Sequence, residues 1–503
     1  MLLAMAGTLP LLWPGRSAGQ GRNPAAGAAM AASAGPAGGT AGITATIVDW
    51  ARGLRFEDIP APVIHEARRY LLDAWGCTLA GWNTDKGRLA AGTMQAMAGT
   101  AGKAGEAALI GTRSRLPAPI AAFANAELMN ALDYDAIPHV PPVTLPALLA
   151  VAQREKLSGR ALLTGIVVAH EIAVRLSAAS SQMISSLIET GETPTVFGIN
   201  HEGIIAATAG IGAMLGYDAA KMAHAMGLAG YYCPPQGSHN WETLSPKTHV
   251  KYTPVGWICQ GAVTAALLAG QGFTSNPALF DGPAAFPAFY GWPAWKPEVA
   301  LAGYGENWRI LSVDYKPHAA CRFTHSQIDC MQRLVARHGL KAQDMEAIET
   351  LGVPFVANPD PLHVRTQEDG QFSTPYVVAL AAHGIPLDAH AYDADRLHDP
   401  AIRATMARIR WAVHPDATAA KKQDRRSYIA RVTVRMKNGQ TFVEESLFPK
   451  GVGSLPDSRL SDAELEEKFL ANATMRLPLA EARRLVAKLW QMDRLADVNE
   501  ARG

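Results

Sequence analysis

The stretch ALDYDAIPHVPP, from Ala131 to Pro142, interrupts a long series of apolar segments. It contains two acids, Asp133 and Asp135, one histidine, His139, and three prolines. Proline fixes its own φ and restricts the residue before it, so the pattern predicts a stiff, non-helical crossing between two apolar helices. Carboxylates and an imidazole on such a crossing can form an acid–base site. A capped turn with a surface histidine would use the same residues, and local sequence leaves both interpretations open.

The segments around this crossing repeat with a helical period. In the segment Pro62 to Ala80, Val63, Ala67 and Leu71 fall on one face. Many of the apolar faces carry Ala and Gly, which let helix axes approach closely, so residues 43–271 are predicted to form a tight helical bundle. The other predicted helices are Pro119–Asn130, Leu145–Gln153, Gly159–Leu176, Glu202–Leu215 and Gly256–Gly270.

The helical periodicity of the sequence ends near residue 272. Phe273 to Trp295 is rich in proline, glycine and aromatic residues, which indicates an irregular crossing into a second unit. Strands are predicted at Ala347–Val353 and Arg408–Val413, and a helix at Thr374–His383. The clearest local signal is Ala430–Glu444, where two β-rich runs flank Asn438-Gly439, the pair that a type I′ hairpin turn prefers.

The chain ends in helical sequence again. Ser461 and Glu464 have the spacing of a capping box, which predicts a helical stretch from Asp462 toward Leu495. The fold class predicted is therefore mainly α with an α+β part. A large helical domain would comprise residues 43–271 and 458–503, and a smaller α/β domain residues 272–457.

Composition excludes several classes of protein. The 503 residues carry a formal net charge of +1, so no general field attracts nucleic acid or an anionic membrane surface. The five cysteines are widely spaced, which favours reduced, buried thiols over disulfides or a zinc site. Cys321 lies between Lys316 and Arg322, where positive charge could favour a thiolate, although a packed small residue is the simpler interpretation.

Residues 1–42 have two interpretations. Leu2 to Trp13 is a mostly apolar run, followed by Arg16 and a Gly/Ala-rich segment that reaches Gly42. The run is too short to span a bilayer, which needs roughly 20 apolar residues. It fits either a disordered extension of a cytoplasmic protein or the remainder of an export signal, which would make the protein periplasmic.

Familiar catalytic motifs are missing from the sequence. There is no GxGxxG after a strand, no GxxxxGK[ST] loop, no HExxH and no GxSxG nucleophile elbow between a strand and a helix. Nicotinamide oxidoreductase, kinase, zinc protease and serine hydrolase chemistry therefore lack their usual local signals.

Polar clusters in apolar surroundings are the remaining candidates. Asn200-His201-Glu202 precedes a predicted helix, whose N-terminus suits an anionic group, or alternatively forms a cap with an exposed histidine. The segment from His239 to Lys251 leads into the helix that begins near residue 256. Its lysine could hold a carboxylate or donate a proton, although an isolated lysine is usually solvated.

The last cluster is KPHAACRFTH, from Lys316 to His325. Cations and histidines are dense here, although the chain as a whole carries few charges. The segment is either part of a binding site or a solvated basic loop.

These clusters, in this order, are where the chain resembles the MmgE/PrpD family, over Ile43 to about Ala496. The number, order and spacing of the matching stretches carry the resemblance. They are YLLDAWGCTLAG (Tyr70–Gly81), NALDYD with HVPPVTLPALLAVA (Asn130–Ala152), GIVVAHEIAVRL (Gly165–Leu176), the helix after His201, HVKYTPVGWICQGAVTAALLAGQGFTS (His249–Ser275), KPHAACRFTH and QFSTPYVVAL (Gln371–Leu380).

The resemblance implies a fold, an assembly and a chemistry. It implies a mostly helical large domain with a smaller α/β lid, a homodimer, and catalysis without a metal or an organic cofactor. The family includes 2-methylcitrate dehydratase, cis-aconitate decarboxylase and iminodisuccinate epimerase. Its members move a proton next to a carboxylate of a small polycarboxylate, and then lose water, lose carbon dioxide or return the proton.

Site residues of the family can be assigned to the matching positions of this chain. The resemblance implies that Asp133, His139 and Lys251 are catalytic. It implies that the substrate-binding residues are His201, Lys316, Arg322 and His325.

The chain also departs from the family's pattern. The loop before His139 is shorter and more apolar than in many relatives, and Pro254 stands where histidine is frequent.

The expected reaction is dehydration of a hydroxylated carboxylate. His139 would act as the base, with Asp133 orienting its ring. Lys251, Lys316 and Arg322 would meet the developing negative charge. Decarboxylation, or epimerisation, would use the same early steps. A catalytically silent homologue with a binding role is a third alternative.

Overall fold

The computed structural model describes residues 42–99, 105–180, 186, 194–292, 294–354 and 360–501. Apart from Gly42, the N-terminal extension and its alternative as an export signal lie outside these residues. The chain from Gly42 onward forms one compact unit.

The protein is mainly α-helical, as the sequence predicts, and it carries a small mixed sheet. The first helices are α1 (Ile43–Gly53), α2 (Ala61–Ala80), α3 (Asp85–Ala98), α4 (Ala118–Asn130), α5 (Pro141–Arg154), α6 (Gly159–Ser180), α7 (Gly203–Met214), α8 (Ala219–Tyr232), α9 (Ser238–Glu242), α10 (Val255–Gly270), α11 (Phe286–Tyr290) and α12 (Pro297–Ala300). Those that follow are α13 (His325–His338), α14 (Gln367–Gln371), α15 (Thr374–Ala382), α16 (Ala394–Leu397), α17 (Pro400–Met406), α18 (Ala417–Gln423), α19 (Asp462–Ala473) and α20 (Leu479–Trp490).

Helix α5 begins at Pro141 and not at Leu145 as the periodicity predicts. Prolines are tolerated in the first helical turn because their missing N–H would be unpaired there anyway. Pro146 lies deeper in the helix and cannot donate to the carbonyl of Pro142. That carbonyl accepts instead from the Cys259 thiol, at 3.3 Å, which ties α5 to α10.

Small residues bring the helices close together, as predicted. A Cβ added to Gly210 on α7 would lie 2.7 Å from the carbonyl oxygen of Gly165 on α6. One added to Gly81, after α2, would lie 2.1 Å from the carbonyl oxygen of Leu128 on α4. Backbones at this separation leave no room for a side chain.

Helix α6 is the most apolar long helix among the described residues. Its 22 residues are long and apolar enough to cross a bilayer by length and composition. Most of it is buried inside the protein, where it packs along α7, as the core helix of a globular bundle does.

The four-stranded sheet belongs to the second half of the chain, and a short hairpin lies in the first half. β1 (Ala107–Ala108) and β2 (Arg115–Leu116) form a short hairpin, and β3 (Met345–Gly352), β4 (Ile409–Val413), β5 (Ala430–Met436) and β6 (Thr441–Ser446) form a sheet in the order β4-β3-β5-β6. Within this sheet β3 and β4 are parallel, whereas β3 with β5 and β5 with β6 are antiparallel. Helix α13 packs against β5 and β6.

The hairpin between β5 and β6 is confirmed, but the predicted type I′ turn is wrong. A type I′ turn needs positive φ at two residues, and only Gly439 has one, at 86°. The Met436 N–H donates to the carbonyl of Gln440 at 2.8 Å, which encloses a three-residue loop. A glycine in the left-handed region at the end of such a loop is the ordinary three-residue hairpin.

The capping box of Ser461 and Glu464 is confirmed at the start of α19. The final helical stretch divides into α19 and α20, separated by Thr474–Pro478. Helix α19 returns to α2, where the Lys468 ammonium donates to Asp73 Oδ1 at 2.6 Å. The division into domains at residues 272 and 458 stays a prediction.

Candidate active site

The crossing between α4 and α5 is non-helical, as its prolines predict, and it is tied to the second half of the chain. The N–H of Ile137 donates to the Asp314 carbonyl at 2.8 Å, and the N–H of Asp314 donates back at 3.1 Å. This bridge sets the segment that follows Asp314, including Lys316, beside Asp133.

Asp133 lies at the centre of a fully buried ionic cluster. Its Oδ1 accepts from the Lys251 ammonium at 3.0 Å and from the Tyr252 hydroxyl at 2.6 Å, and its Oδ2 accepts from the Lys316 ammonium at 2.7 Å. The side chains of Asp133, Lys251 and Lys316 are all 0% exposed. The structure therefore brings together three residues that stand far apart in the sequence.

The cluster keeps Asp133 ionised. Burial would raise the pKa of Asp133, but the two ammonium groups outweigh it and hold the pKa well below its usual range. Lys251 also donates to the Asn130 carbonyl at 2.9 Å. Much of the hydrogen-bonding capacity that the sequence assigned to a substrate is thus directed at protein groups.

Asp135 is the carboxylate bonded to His139, a role that the sequence interpretation gave to Asp133. The Oδ2 atom of Asp135 lies 2.7 Å from His139 Nδ1, whereas Asp133 Oδ1 is 3.8 Å from Nε2. Burial would raise the pKa of Asp135, but the facing imidazole lowers it, so the carboxylate is ionised. The four-residue spacing of Asp135 and His139 is visible in the sequence, but only the fold makes it a contact.

One wall beside His139 is aromatic. The Tyr252 ring centroid lies 5.3 Å from the His139 ring centroid, and Trp241 and Phe372 pack edge-on against Tyr252. Cys321 completes this buried cluster. Burial, followed by the Asp133 charge, raises the pKa of Cys321 to about 12, so the flanking cations do not make it a thiolate.

His201 lies in the turn before α7, close to the Tyr252 segment. The Ser238 hydroxyl links the two segments, since it accepts from the Ile199 N–H at 3.1 Å and donates to the Tyr252 carbonyl at 2.6 Å. The His201 ring is buried, and burial lowers its pKa to about 4. The alternative of a capping residue with an exposed imidazole is wrong.

Arg322 and His325 are buried too, so the solvated basic loop is wrong for this part of the segment. Arg322 Nη1 donates to the Lys450 carbonyl at 2.8 Å, and Nη2 lies 3.3 Å from Asp314 Oδ2. His325 Nε2 lies 3.1 Å from the Ala320 carbonyl, and burial, followed by Arg322, holds its pKa well below the usual range. Arg322 thus adjoins the crossing through Asp314, and His325 Nδ1 lies 3.4 Å from Arg322 Nη1.

Backbone strain supports this location independently. Among the described residues, the non-glycine positions with positive φ are Asp133 (52°), Asn200 (55°), Lys251 (56°) and Lys156 (53°). The first three belong to the region just described. Left-handed backbone in ordinary residues costs free energy and tends to concentrate at functional sites.

No group of three or more His, Cys, Asp or Glu residues in the described part of the chain is arranged to hold a metal ion. The contacts of this site are made by carboxylates, ammonium groups, imidazoles and aromatic rings.

Comparisons with known proteins agree over nearly the whole chain. Residues 45–296 match the MmgE/PrpD N-terminal domain, and residues 318–492 match the MmgE/PrpD C-terminal domain. The chain is 24% identical over 501 residues to the cis-aconitate decarboxylase-like protein oryM of Aspergillus oryzae, covering 91% of this chain and 96% of that protein. It is 24% identical over 473 residues to the cis-aconitate decarboxylase of Homo sapiens, covering 90% and 92% of the two chains. With both halves of the family's architecture matched in order, the chain belongs to the MmgE/PrpD family.

Proposed function

We propose that the protein is a lyase that decarboxylates a small unsaturated polycarboxylate. The observation that carries the proposal is the His139–Asp135 pair, 2.7 Å apart, set beside an aromatic wall. The similarity of the chain to proteins named cis-aconitate decarboxylase or cis-aconitate decarboxylase-like supports this choice of reaction.

Decarboxylation needs one group that donates a proton to a carbon atom of the substrate. Loss of a carboxylate as CO2 breaks a carbon–carbon bond and leaves an electron pair on the substrate, which an adjacent double bond and carboxylate can delocalise. A proton from His139 Nε2 to carbon then completes the product, and the ring regains its proton from solvent. Asp135 on Nδ1 orients the imidazole and leaves Nε2 for the substrate.

The aromatic wall favours the loss of CO2. Trp241, Tyr252 and Phe372 offer a departing carboxylate little polar contact. An apolar surrounding disfavours the charged carboxylate relative to neutral CO2. Asp133 and its two lysines would act mainly by fixing the shape of the crossing.

Dehydration of a hydroxylated carboxylate is the second candidate, and His201 favours it. Removal of water needs a base for the carbon-bound proton and an acid for the departing hydroxyl group. A buried, neutral His201 in addition to the carboxylate-paired His139 would supply two imidazoles for these two tasks.

The test is product analysis in D2O. Purified protein would be incubated with cis-aconitate and, separately, with 2-methylcitrate, and released CO2 and NMR spectra of the products would be recorded. Decarboxylation predicts CO2 with one deuterium in the product, whereas dehydration predicts an unsaturated product without CO2. Turnover of neither compound, nor of a wider panel of carboxylates, would refute both reactions and favour a silent homologue.

His139→Gln would test the proton donor. We expect a fall in kcat of about 100-fold or more, because general acid–base groups contribute that much. His363→Gln is the matched control, since the His363 side chain is 74% exposed and also pairs with a carboxylate, that of Asp360. A fully active His139→Gln variant would eliminate His139 as the donor.

We also propose a homodimer, as the family resemblance implies. Tyr231 and Phe289 stack at the surface with 66% and 51% exposure, and Trp257, 49% exposed, bonds to the adjacent Tyr232 carbonyl. Exposed aromatic residues next to each other suit a protein–protein contact.

A further inference from the structure

The Tyr290 hydroxyl lies between the His201 ring and a backbone carbonyl. His201 Nδ1 is 3.0 Å from Tyr290 Oη, and the same hydroxyl donates to the Pro234 carbonyl at 2.7 Å. Both distances are those of hydrogen bonds. The imidazole, the hydroxyl and the carbonyl are therefore joined by two hydrogen bonds in series, and the last acceptor is a backbone carbonyl.

Counting protons shows which group donates in each of these two hydrogen bonds. A carbonyl oxygen has no proton, so the bond to Pro234 must use the hydroxyl proton of Tyr290. Burial raises the pKa of Tyr290, so the hydroxyl keeps that proton. Only lone pairs of Oη remain for His201, and Nδ1 must be the protonated nitrogen.

The other nitrogen of His201 then carries a lone pair. Nε2 is buried and makes no hydrogen bond within the described part of the chain. The Tyr252 and Pro234 carbonyls both lie near the ring. The 2.7 Å bond from Tyr290 to Pro234 decides against the tautomer with the proton on Nε2, since the Tyr290 proton is then not available to an unprotonated Nδ1.

Tyr290 is itself held firmly. Its ring stacks on Phe286 with centroids 4.7 Å apart and meets Trp292 edge-on at 5.6 Å. The side-chain amide of Gln236 donates to the Tyr290 carbonyl at 2.7 Å. Because both the ring and the backbone of Tyr290 are held in place, its hydroxyl can select one tautomer of His201.

We propose that Tyr290 is a positioning residue that holds His201 as a neutral Nδ1–H imidazole, whose Nε2 accepts a hydrogen bond or a proton from the bound substrate. The proposal rests on the proposed function only in treating the region around His139 as a carboxylate lyase site. It goes beyond that function by assigning a task to a residue outside the predicted site.

The chemistry of an accepting Nε2 restricts its ligand. An ionised carboxylate has no proton to share and would be repelled by the lone pair, whereas a hydroxyl group or a carbon-bound acidic hydrogen can approach it. The substrate position beside His201 is therefore predicted to carry a hydroxyl group or the reacting C–H.

The experiment compares Tyr290→Phe with the wild-type chain. Imidazole ¹⁵N spectra of histidine-labelled protein report which ring nitrogen is protonated, and the His201 signal is assigned by its absence in His201→Gln. In the wild type we expect the Nδ1–H form at neutral pH. In Tyr290→Phe we expect the Nε2–H form to appear and kcat to fall about 10-fold or more, with a smaller change in KM.

Tyr217→Phe is the matched control, because the Tyr217 hydroxyl, like that of Tyr290, donates to a backbone carbonyl, that of Ala266 at 2.8 Å. It should change neither the His201 spectrum nor kcat.

Several outcomes would overturn the proposal. A wild-type His201 that is Nε2–H or charged at neutral pH refutes it without any variant, even if Tyr290→Phe fails to fold. An unchanged His201 spectrum in a folded Tyr290→Phe protein also refutes it, and so does a changed tautomer with unchanged kcat. If the chain turns over no carboxylate, the spectra still decide the tautomer, so the two failures are distinguishable.

Discussion

Replacing Asp133 by Asn tests how the centre of the site is held together. The substitution nearly preserves shape, but it removes the negative charge between two buried ammonium groups, 3.0 Å and 2.7 Å away. The new NH2 group would also point a donor at a donor. Lys251 and Lys316 are both 0% exposed, so water cannot replace the lost carboxylate without local opening.

The expected loss in the free energy of unfolding is large for a substitution that replaces one side-chain oxygen with an NH2 group. Breaking a buried ion pair by removing one partner costs about 3–5 kcal/mol, because the other charge stays buried without compensation. Since two cations lose their partner here, we expect the free energy of unfolding to fall by at least about 3 kcal/mol. That corresponds to roughly a 100-fold change in the unfolding equilibrium.

Urea unfolding followed by tryptophan fluorescence measures the effect. Glu346→Gln is the matched control, because Glu346 and Arg435 form an ion pair at 3.1 Å whose side chains are 49% and 56% exposed. Exposed pairs contribute about 0–1 kcal/mol, so this variant should unfold almost like the wild type. In a double-mutant cycle, Asp133→Asn with Lys316→Met should lose less stability than the sum of the single changes.

An Asp133→Asn protein with the unfolding midpoint of the wild type would refute the reasoning. Strict additivity in the cycle with Lys316→Met would refute the coupling between the two residues.

The remaining predictions concern pH, packing and assembly. Burial raises the pKa of Glu202 from 4.5 to about 7, so its protonated form favours the folded state and stability should fall as pH rises from about 4.5 to about 7. Glu202→Gln should flatten that part of a urea-midpoint profile, and an unchanged slope would contradict the assignment. Gly210→Ala should lose about 1–3 kcal/mol by denaturation, since its Cβ would lie 2.7 Å from the Gly165 carbonyl oxygen, whereas Gly92→Ala on α3, with nothing within 4 Å, should lose none. Tyr231→Glu should convert the proposed dimer to a monomer in light scattering, and an unchanged mass would place the interface elsewhere.

The helices were largely predictable because their signals are local. Periodic apolar residues, a capping box at Ser461 and prolines near helix starts act over a few residues. The failures occurred where contacts between distant residues matter. Helix α5 begins at Pro141, earlier than the periodicity predicts, and the Cys259 thiol gives the Pro142 carbonyl the donor that Pro146 cannot provide, a contact that no window of sequence reveals.

The sequence named candidate members of the site but not the contacts among them. The resemblance named Asp133, His139 and Lys251, and the fold gathers them in one region. It did not reveal that Asp135 holds His139 or that Tyr290 contacts His201, because those partners are chosen by side-chain directions after folding.

The sequence by itself determined the helical character of the chain, the stiff crossing at residues 131–142 and the family to which the chain belongs. These follow from backbone restriction, periodicity and residue order, which are properties of the unfolded chain as much as of the folded one. The tertiary structure alone decided which carboxylate faces which base. It buried Asp133 between two lysines from distant segments and left Asp135 for His139. Ion pairing in a dry interior depends on distances of a few ångströms, and those exist only once the helices have packed.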